Sequence, residues 1–246
     1  MTAETGQTDV MESEFESLQE LVAQARYVLF DFDGPICRLF PGSSAEAIAR
    51  DQVEWLRKRG LYAVLTEEER VRPDPHGVLS TVARRQPPDS DLVVELEEQL
   101  TQHELKAIRD AMPTAWADPL IRTWVAVGVR LAIATNNSAR TVHSYLNGRG
   151  LIACFAPHIY GRTQDLSLLK PHPETLNRAL RAMGAPPESS LMIGDTVSDH
   201  AAAQSAGVPF LGYARTSARE QQLRKAGAQN VLRSLEPLLS VVREHS

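Results

Sequence analysis

The sequence predicts an α/β protein in which a doubly wound parallel sheet carries an inserted all-helical cap. Three observations predict this fold class. Short apolar runs recur and end in polar residues, at residues 27–30, 129–134 and 190–194. Helical patterns lie between these runs, whereas residues 38–117 show helical patterns and no convincing strand. Apolar runs that alternate with helices are typical of a parallel sheet whose strands are buried on both faces.

The positions of apolar residues predict the first elements in order. Residues 1–11 are polar and aperiodic, which predicts a loose tail. Apolar side chains at helical spacing then predict a helix that leads into the first strand. In the insert, a helix is expected from Ser44 to Arg59, where Gly60 ends it, and a second from Ser90 or Asp91. Prolines between these helices, such as Pro75, predict loops.

The second half repeats the alternation of strands and helices. A further strand is predicted at residues 208–211, with weaker ones near 155–160 and 230–232. Helices are predicted at residues 138–146, 173–183, 199–206, 217–226 and 234–242.

These patterns divide the chain into a flexible tail, a split core and a cap. The tail is formed by residues 1–11, the core by residues 12–37 and 118–246, and the cap by residues 38–117. Because the insert separates the two parts of the core, no single cut in the sequence would separate core from cap.

Composition excludes several classes of protein. Of the 246 residues, 43% are hydrophobic and 23% charged, which is ordinary for a globular protein. The net charge of −5 and the lack of a basic patch argue against nucleic-acid binding. Cys37 and Cys154 have no spacing typical of zinc or of a disulfide framework. There is no apolar run of membrane-spanning length and no signal-like start, so we expect a cytoplasmic protein without membrane contact.

Polar residues follow the apolar runs where parallel strands would end. Ligands of such sheets bind just beyond the carboxyl ends of the strands, so these residues are candidates for chemistry. They are Asp31, Asp33, Thr135, Asn136, Asp195 and Asp199, with Lys170 in the loop before the strand at residues 190–194.

This set of side chains suits phosphoryl transfer. Clustered carboxylates repel each other unless a cation compensates them, and oxygen ligands favour Mg²⁺. A lysine and a hydroxyl beside that ion can receive a dianionic phosphoryl group. One carboxylate can attack phosphorus and form an aspartyl-phosphate, while a second protonates the leaving oxygen and then activates water.

The order of the motifs resembles the haloacid dehalogenase-like (HAD) superfamily. The four motifs are Asp31-Phe-Asp33-Gly34, Thr135-Asn136, Lys170-Pro171 and Gly194-Asp195-Thr-Val-Ser-Asp199. The C-terminal stretch at residues 223–236 is similar to that of phosphoglycolate phosphatase-like members. The insert resembles the helical C1 cap found in this branch, which also includes β-phosphoglucomutase-like proteins. The resemblance implies a magnesium-dependent hydrolase acting on a small phosphorylated metabolite through an aspartyl-phosphate.

The resemblance also implies a role for each motif residue. Asp31 would be the nucleophile and a magnesium ligand, and Asp33 the general acid and base, binding magnesium through its backbone carbonyl. Thr135 and Lys170 would hold the phosphoryl group with the backbone of Asn136. Asp195 would ligate magnesium directly. Asp199 would orient Lys170 or support the metal ligands without binding the ion itself.

Two residues of the first motif bear on the subclass. Dehalogenating members lack a carboxylate at the position of Asp33, so its presence argues for phosphate chemistry over cleavage of a carbon–halogen bond. Pro35 stands where the family usually has Thr or Val. Proline fixes φ and removes an N–H, which can alter the turn. We expect the site to persist, because the implied roles do not use this side chain.

Two alternatives to a phosphatase remain at the level of sequence. A phosphomutase would use the same residues and pass the phosphoryl group to a second hydroxyl. A non-catalytic binding protein on the same fold is the other alternative, and Pro35 is the motif feature that favours it. The motif residues would contact only the phosphoryl group of the substrate, so they identify neither the rest of the substrate nor the oligomeric state.

Three arginines outside the motifs are further candidates. We interpret Arg38 and Arg50 as solvated charges, with contact to an anionic leaving group as the alternative. The loop that ends in Arg215 is another candidate contact.

Overall fold

The computed structural model describes residues 15–41, 44–71, 74–87 and 90–244, so the predicted tail lies outside the described residues. Within them the chain forms the strands β1 (Tyr27–Phe30), β2 (Cys37–Arg38), β3 (Met112–Pro113), β4 (Arg130–Ala134), β5 (Ile159–Tyr160), β6 (Ser190–Gly194), β7 (Phe210–Tyr213) and β8 (Asn230–Leu232). Six of them build one parallel sheet in the order β5-β4-β1-β6-β7-β8. The predicted α/β fold class is confirmed.

The described residues form twelve α-helices, some on the two faces of this sheet and others over its carboxyl end. They are α1 (residues 15–24), α2 (Ser44–Lys58), α3 (Glu67–Val71), α4 (Pro75–Arg85), α5 (Asp91–Ala107), α6 (Ala117–Ala126), α7 (Ala139–Gly148), α8 (Ile152–Phe155), α9 (Glu174–Met183), α10 (Val197–Ala206), α11 (Ser217–Lys225) and α12 (Glu236–Glu244). Successive side chains of a strand point to opposite faces. Accordingly, Val28 and Phe30 pack against α1, α6 and α12, whereas Leu29 packs against α9 and α10. Among the described residues, no helix is both long enough and apolar enough to cross a membrane.

Helices α2 to α5 form a layer over the carboxyl end of the sheet. Their apolar side chains form a cluster that includes Ile48, Leu56, Leu79, Val82, Leu96 and Leu100. The same cluster contains Leu166 and Leu169, which belong to the loop that leads to Lys170. The core and the cap layer therefore share buried apolar side chains beside the candidate site. The exact division at residues 37/38 and 117/118 stays a prediction.

The structure differs from the sequence prediction in three local features. A ribbon of β2 and β3 joins the two ends of the insert, where no strand was predicted, because two residues are too short to show a period. Pro75 begins α4 instead of lying in a loop, since Asp74 caps the helix and proline fits its first turn. The strand predicted near residues 155–160 is confined to β5 and is preceded by α8.

Candidate active site

Asp31 and Asp33 lie at the carboxyl end of β1. The backbone amide of Asp31 continues the strand by donating a hydrogen bond to the carbonyl of Ile193 (2.8 Å). Burial raises the pKa of the Asp31 carboxyl above its ordinary value, although the Lys170 ammonium opposes this shift. Asp33 lies in the following turn, where its Oδ1 accepts a hydrogen bond from the amide of Leu39 (2.9 Å). Two carboxyl groups two residues apart therefore reach the same end of the sheet.

The turn after Asp31 accommodates a proline and requires a glycine. The amide of Gly34 donates to the carbonyl of Cys37 (2.6 Å), so this closing bond does not need the N–H that Pro35 lacks. Gly34 has a φ of 121°, a conformation that L side chains rarely adopt. A Cβ at this position would lie 2.5 Å from Cγ of Asp195. Gly34 therefore allows the turn to approach the Asp195 carboxyl closely.

Lys170 binds two carboxylates at the centre of the site. Its Nζ lies 2.9 Å from Oδ1 of Asp31 and 2.5 Å from Oδ1 of Asp199, and it donates to the carbonyl of Ala134 (2.9 Å). Burial by itself would lower the pKa of the ammonium, but the charges of Asp199 and Asp31 raise it above its ordinary value. Lys170 is therefore a fixed positive charge beside Asp31.

Thr135 and Asn136 follow β4 on the other side of Lys170. The amide of Thr135 donates to the carbonyl of Tyr160 (3.0 Å), and its hydroxyl oxygen accepts from the amide of Asn137 (3.2 Å). The side chain of Asn136 accepts from the amide of Lys170 (2.8 Å) and donates to the Lys170 carbonyl (3.1 Å). Sequence reasoning gave Asn136 a backbone role alone. In the structure its side chain also fixes the main chain of Lys170.

Asp195 and Asp199 lie at the junction of β6 and α10. Oδ2 of Asp199 accepts hydrogen bonds from the amides of Asp195 (3.1 Å) and Thr196 (2.9 Å) and from the Thr196 hydroxyl (2.6 Å). The Thr196 hydroxyl in turn accepts from the Asp199 amide, which completes a capping box at the start of α10. Asp199 therefore caps a helix with one oxygen and binds Lys170 with the other.

Three of these carboxylates form a candidate cation site. Oxygens of Asp31, Asp195 and Asp199 lie within 4.8 Å of one another. Because both Asp199 oxygens are already engaged, Asp31 and Asp195 are the side chains best able to hold a cation. Burial, and then repulsion from Asp199 and Asp31, raise the pKa of Asp195 well above its ordinary value, while Arg219 opposes this from 3.9 Å. A hard divalent cation with oxygen ligands would offset this repulsion.

Sequence reasoning missed a buried ion pair behind the site. Glu104 of α5 and Arg162, which follows β5, have side chains with no exposed surface, and their closest atoms are 2.9 Å apart. A signal for Glu104 is present in the sequence, because it continues the buried stripe of Leu96 and Leu100 at intervals of four residues. A charged residue in an apolar stripe indicates a buried partner, although it does not identify that partner.

A cavity of about 600 Å³ lies between the cap layer and the sheet. All seven residues predicted from the motifs line it: Asp31, Asp33, Thr135, Asn136, Lys170, Asp195 and Asp199. Arg38, His76 and Arg215 line the same cavity, and in the described part of the chain neither Arg38 nor Arg215 forms an ion pair. Arg50 instead pairs with Glu46 on an exposed helix face, in agreement with its interpretation as a solvated charge.

The fold and the order of acidic residues, lysine and hydroxyl define a class of hydrolases. Residues 25–207 match the family described as haloacid dehalogenase-like hydrolase, so the chain belongs to this family. The chain is 26% identical to the phosphoglycolate phosphatase of Rhodospirillum rubrum over 196 residues, which cover 76% of this chain and 80% of that protein. The pyrophosphatase PpaX of Halalkalibacterium halodurans is 33% identical over 124 residues, which cover 50% of this chain and 56% of that protein. The chain thus spans little more than half the length of this second relative.

Solved structures share the fold at low sequence identity. A predicted phosphatase from Clostridium acetobutylicum superposes with a TM-score of 0.67 at 20% identity, covering 89% of this chain and 99% of that one. CbbY from Rhodobacter sphaeroides in complex with phosphate gives a TM-score of 0.65 at 21% identity, with the same coverage of both chains. These similarities support the fold, whereas the family match identifies the chain as a hydrolase.

The contact of Gly34 with Asp195 leads to a first prediction. We expect Gly34→Ala to weaken Mg²⁺ binding by about tenfold or more, a range typical of changes around metal ligands. The added Cβ would displace the Asp195 carboxyl or the turn. Isothermal titration calorimetry measures the affinity. Gly128→Ala is the matched control, because Gly128 also has a positive φ (86°) but its Cβ would meet nothing within 4 Å. Equal Mg²⁺ affinity in folded Gly34→Ala would contradict the prediction.

The Glu104–Arg162 pair leads to a prediction for stability against pH. Burial would raise the pKa of Glu104, but His76 and Arg162 outweigh it and lower the pKa from 4.5 to about 2. A lowered pKa stabilises the folded state above pH 4.5, and this contribution is lost as the pH falls towards about 2. We expect Glu104→Gln to reduce the free energy of unfolding by roughly 3 kcal/mol at neutral pH, as for other broken buried pairs.

Urea denaturation of wild type and of Glu104→Gln at several pH values measures how the free energy of unfolding depends on pH. The difference between them should shrink as the pH falls below 4.5. Glu98→Gln removes an exposed ion pair between Arg140 and the same helix α5, so it should have a much smaller effect. A difference that stays constant down to the acid limit of folding would refute the prediction.

Proposed function

We propose that this protein is a magnesium-dependent phosphatase that hydrolyses a small phosphate monoester through an aspartyl-phosphate on Asp31. One observation carries the proposal: the Lys170 ammonium lies 2.9 Å from the Asp31 carboxylate at the wall of a cavity large enough for a metabolite. The ammonium can bind a phosphoryl oxygen while Asp31 reaches the phosphorus. Membership of the hydrolase family and similarity to phosphatases support the same conclusion.

The residues of the site can perform two successive displacements. In the first, an Asp31 oxygen forms a bond to phosphorus while the ester P–O bond breaks, and Asp33 transfers a proton to the leaving oxygen. In the second, Asp33 takes a proton from water, and the water oxygen displaces Asp31 from phosphorus. Inorganic phosphate leaves and the Asp31 carboxylate is regenerated. Lys170, the Thr135 hydroxyl and the backbone amide of Asn136 hold the phosphoryl oxygens throughout.

The environment of Asp33 supports its role in proton transfer. Burial raises its pKa to about 6, although the amide of Leu39 opposes this shift. A group that titrates close to neutral pH can both give and accept a proton under physiological conditions. Asp33 also lies beside the cavity and is separated from Asp31 by one residue, as the mechanism requires.

The residues present fit a bound magnesium ion. Asp31 and Asp195 would hold it with carboxylate oxygens, and Asp33 with its backbone carbonyl, as the family resemblance implies. The pKa of Asp195, which burial and then repulsion from Asp199 and Asp31 raise, supports this assignment, because a bound cation would offset both effects. When bound, the ion would supply charge neutralisation for the phosphoryl oxygens.

The basic side chains that line the cavity favour a leaving group that carries its own negative charge. Arg38, His76 and Arg215 line the cavity, and among the described residues neither arginine forms an ion pair, although the charge of Arg215 acts on Asp33. Guanidinium groups bind carboxylates and phosphates in a bidentate manner. The similarity to a phosphoglycolate phosphatase supports this choice, because the substrate in that name carries a carboxylate as well as a phosphate.

Replacement of the nucleophile tests the proposed reaction. We expect Asp31→Asn to lower the rate of phosphate-ester hydrolysis by roughly a thousandfold or more, because the amide cannot form the covalent intermediate. A screen of metabolite esters with and without Mg²⁺ measures the release of inorganic phosphate. Asp51→Asn is the control, since Asp51 is exposed on α2. Full activity of folded Asp31→Asn would refute the mechanism, and an isomerised ester without phosphate release would identify a phosphomutase.

The cationic wall leads to a prediction for specificity. We expect Arg215→Ala to raise the inhibition constant of 2-phosphoglycolate, measured as a competitor of p-nitrophenyl phosphate hydrolysis, by about tenfold, or ~1.4 kcal/mol. The KM of p-nitrophenyl phosphate, whose leaving group has no such charge, should change little. Arg50→Ala is the control outside the cavity. Equal changes for both esters would argue against an anionic leaving group.

A further inference from the structure

The Glu104 carboxylate, which lies on the apolar stripe of α5, accepts four hydrogen bonds. Its side chain has no exposed surface. Its oxygens accept from the Ser138 amide (2.9 Å), the Thr141 hydroxyl (3.1 Å), the Asn137 amide group (3.2 Å) and Nη1 of Arg162 (2.9 Å). Three of these donors lie in the segment that follows β4, directly after Thr135 and Asn136. A carboxylate of the cap layer is thus bound to the phosphate-binding segment.

Arg162 also binds the same segment. Its Nη1 donates to the Asn136 carbonyl (2.8 Å) as well as to Glu104. Its other nitrogens donate to Thr101 (2.9 Å) and Glu97 (2.9 Å), so the buried guanidinium is held in one orientation. Because the Asn136 side chain bonds the backbone amide and carbonyl of Lys170, hydrogen bonds connect Glu104 through Arg162 and Asn136 to the main chain of Lys170.

The same carboxylate also contacts the leaving-group side of the cavity. Nε2 of His76, near the start of α4, lies 3.5 Å from Oε1 of Glu104, and His76 lines the cavity. Glu104 therefore touches both the segment that would bind the phosphoryl group and a residue that would face the leaving group.

Stability alone does not account for a buried pair at this position. Desolvation of two charges costs about as much as their attraction returns, and apolar residues of similar size often serve equally well. An apolar residue cannot, however, bind the Ser138 amide and the Asn136 carbonyl that the pair satisfies. The donors and acceptors of the loop are the feature that requires a charged pair.

We propose that Glu104 is a positioning residue that, with Arg162, sets the phosphate-binding segment at residues 135–138 and holds His76 against the leaving group. This inference rests on the proposed phosphatase function. Glu104, a single residue of the cap layer, would align the phosphoryl group through residues 135–138 and the leaving group through His76.

Three variants separate positioning from stability. Binding of inorganic phosphate in the presence of Mg²⁺, measured by calorimetry on the full chain, reports on the phosphate-binding segment without catalysis. The inhibition constant of 2-phosphoglycolate against p-nitrophenyl phosphate reports on the leaving-group side. We expect Glu104→Gln to weaken both by about tenfold, and His76→Ala to weaken 2-phosphoglycolate alone. Glu98→Gln, which removes an exposed ion pair of the same helix α5 without touching Arg162 or residues 135–138, should weaken neither.

Each outcome of this experiment decides the inference. Phosphate affinity equal to wild type in folded Glu104→Gln overturns it, and so does an equal loss in Glu98→Gln, which would indicate general loosening of α5. If Glu104→Gln does not fold, Arg162→Lys replaces it. Lysine keeps the charge but cannot bond Glu104, Asn136 and Thr101 together, so the same loss is expected. Wild-type protein that binds no phosphate would instead refute the proposed function and the inference with it.

Discussion

The candidate site depends on one buried ammonium group shared by two carboxylates. Lys170 is in contact with both Asp31 and Asp199, and no other cation of the described residues is as close to them. Asp195 lies in the same cluster, which leaves more negative than positive charge within it. In such surroundings a carboxylate either takes up a proton or attracts a cation. The fold thus holds a charge arrangement that a divalent ion and a phosphoryl group together can balance.

The topology of the sheet makes this concentration of charge possible. Strand β1 lies between β4 and β6 in parallel register, with Phe30 opposite both Ile133 and Ile193. The polar residues that follow the three strands therefore emerge side by side at one edge. The strands are apolar on both faces and are held by helices on each side, so the polar ends have a rigid support. Motif residues that are far apart in sequence meet because their strands end at the same level.

The features that could be predicted from the sequence are those encoded locally. Each core strand is an apolar run with a polar end, and the seven motif residues lie at those ends or in the loop beside them, so their convergence followed from the rules for parallel sheets. The β2–β3 ribbon has no such pattern, because its partners are two residues long and lie on either side of the whole insert. Glu104 and Arg162 are 58 residues apart and belong to different layers. The charge of Glu104 on the apolar stripe of α5 indicates a buried partner of opposite charge. Which residue becomes that partner depends on how the layers pack against each other.

The cap layer acts on the candidate phosphate site from two directions that differ in chemistry. From α5, Glu104 and Arg162 bind the segment after β4 through charged hydrogen bonds. From the other side, Leu169 is buried in the apolar cluster of the cap layer, and the next residue is Lys170. A single peptide bond therefore connects a buried residue of the cap-layer cluster to the main chain of Lys170. Because both segments that would hold the phosphoryl group have their neighbours buried against the cap layer, its packing contributes to the geometry of a site whose seven motif residues all belong to the α/β core.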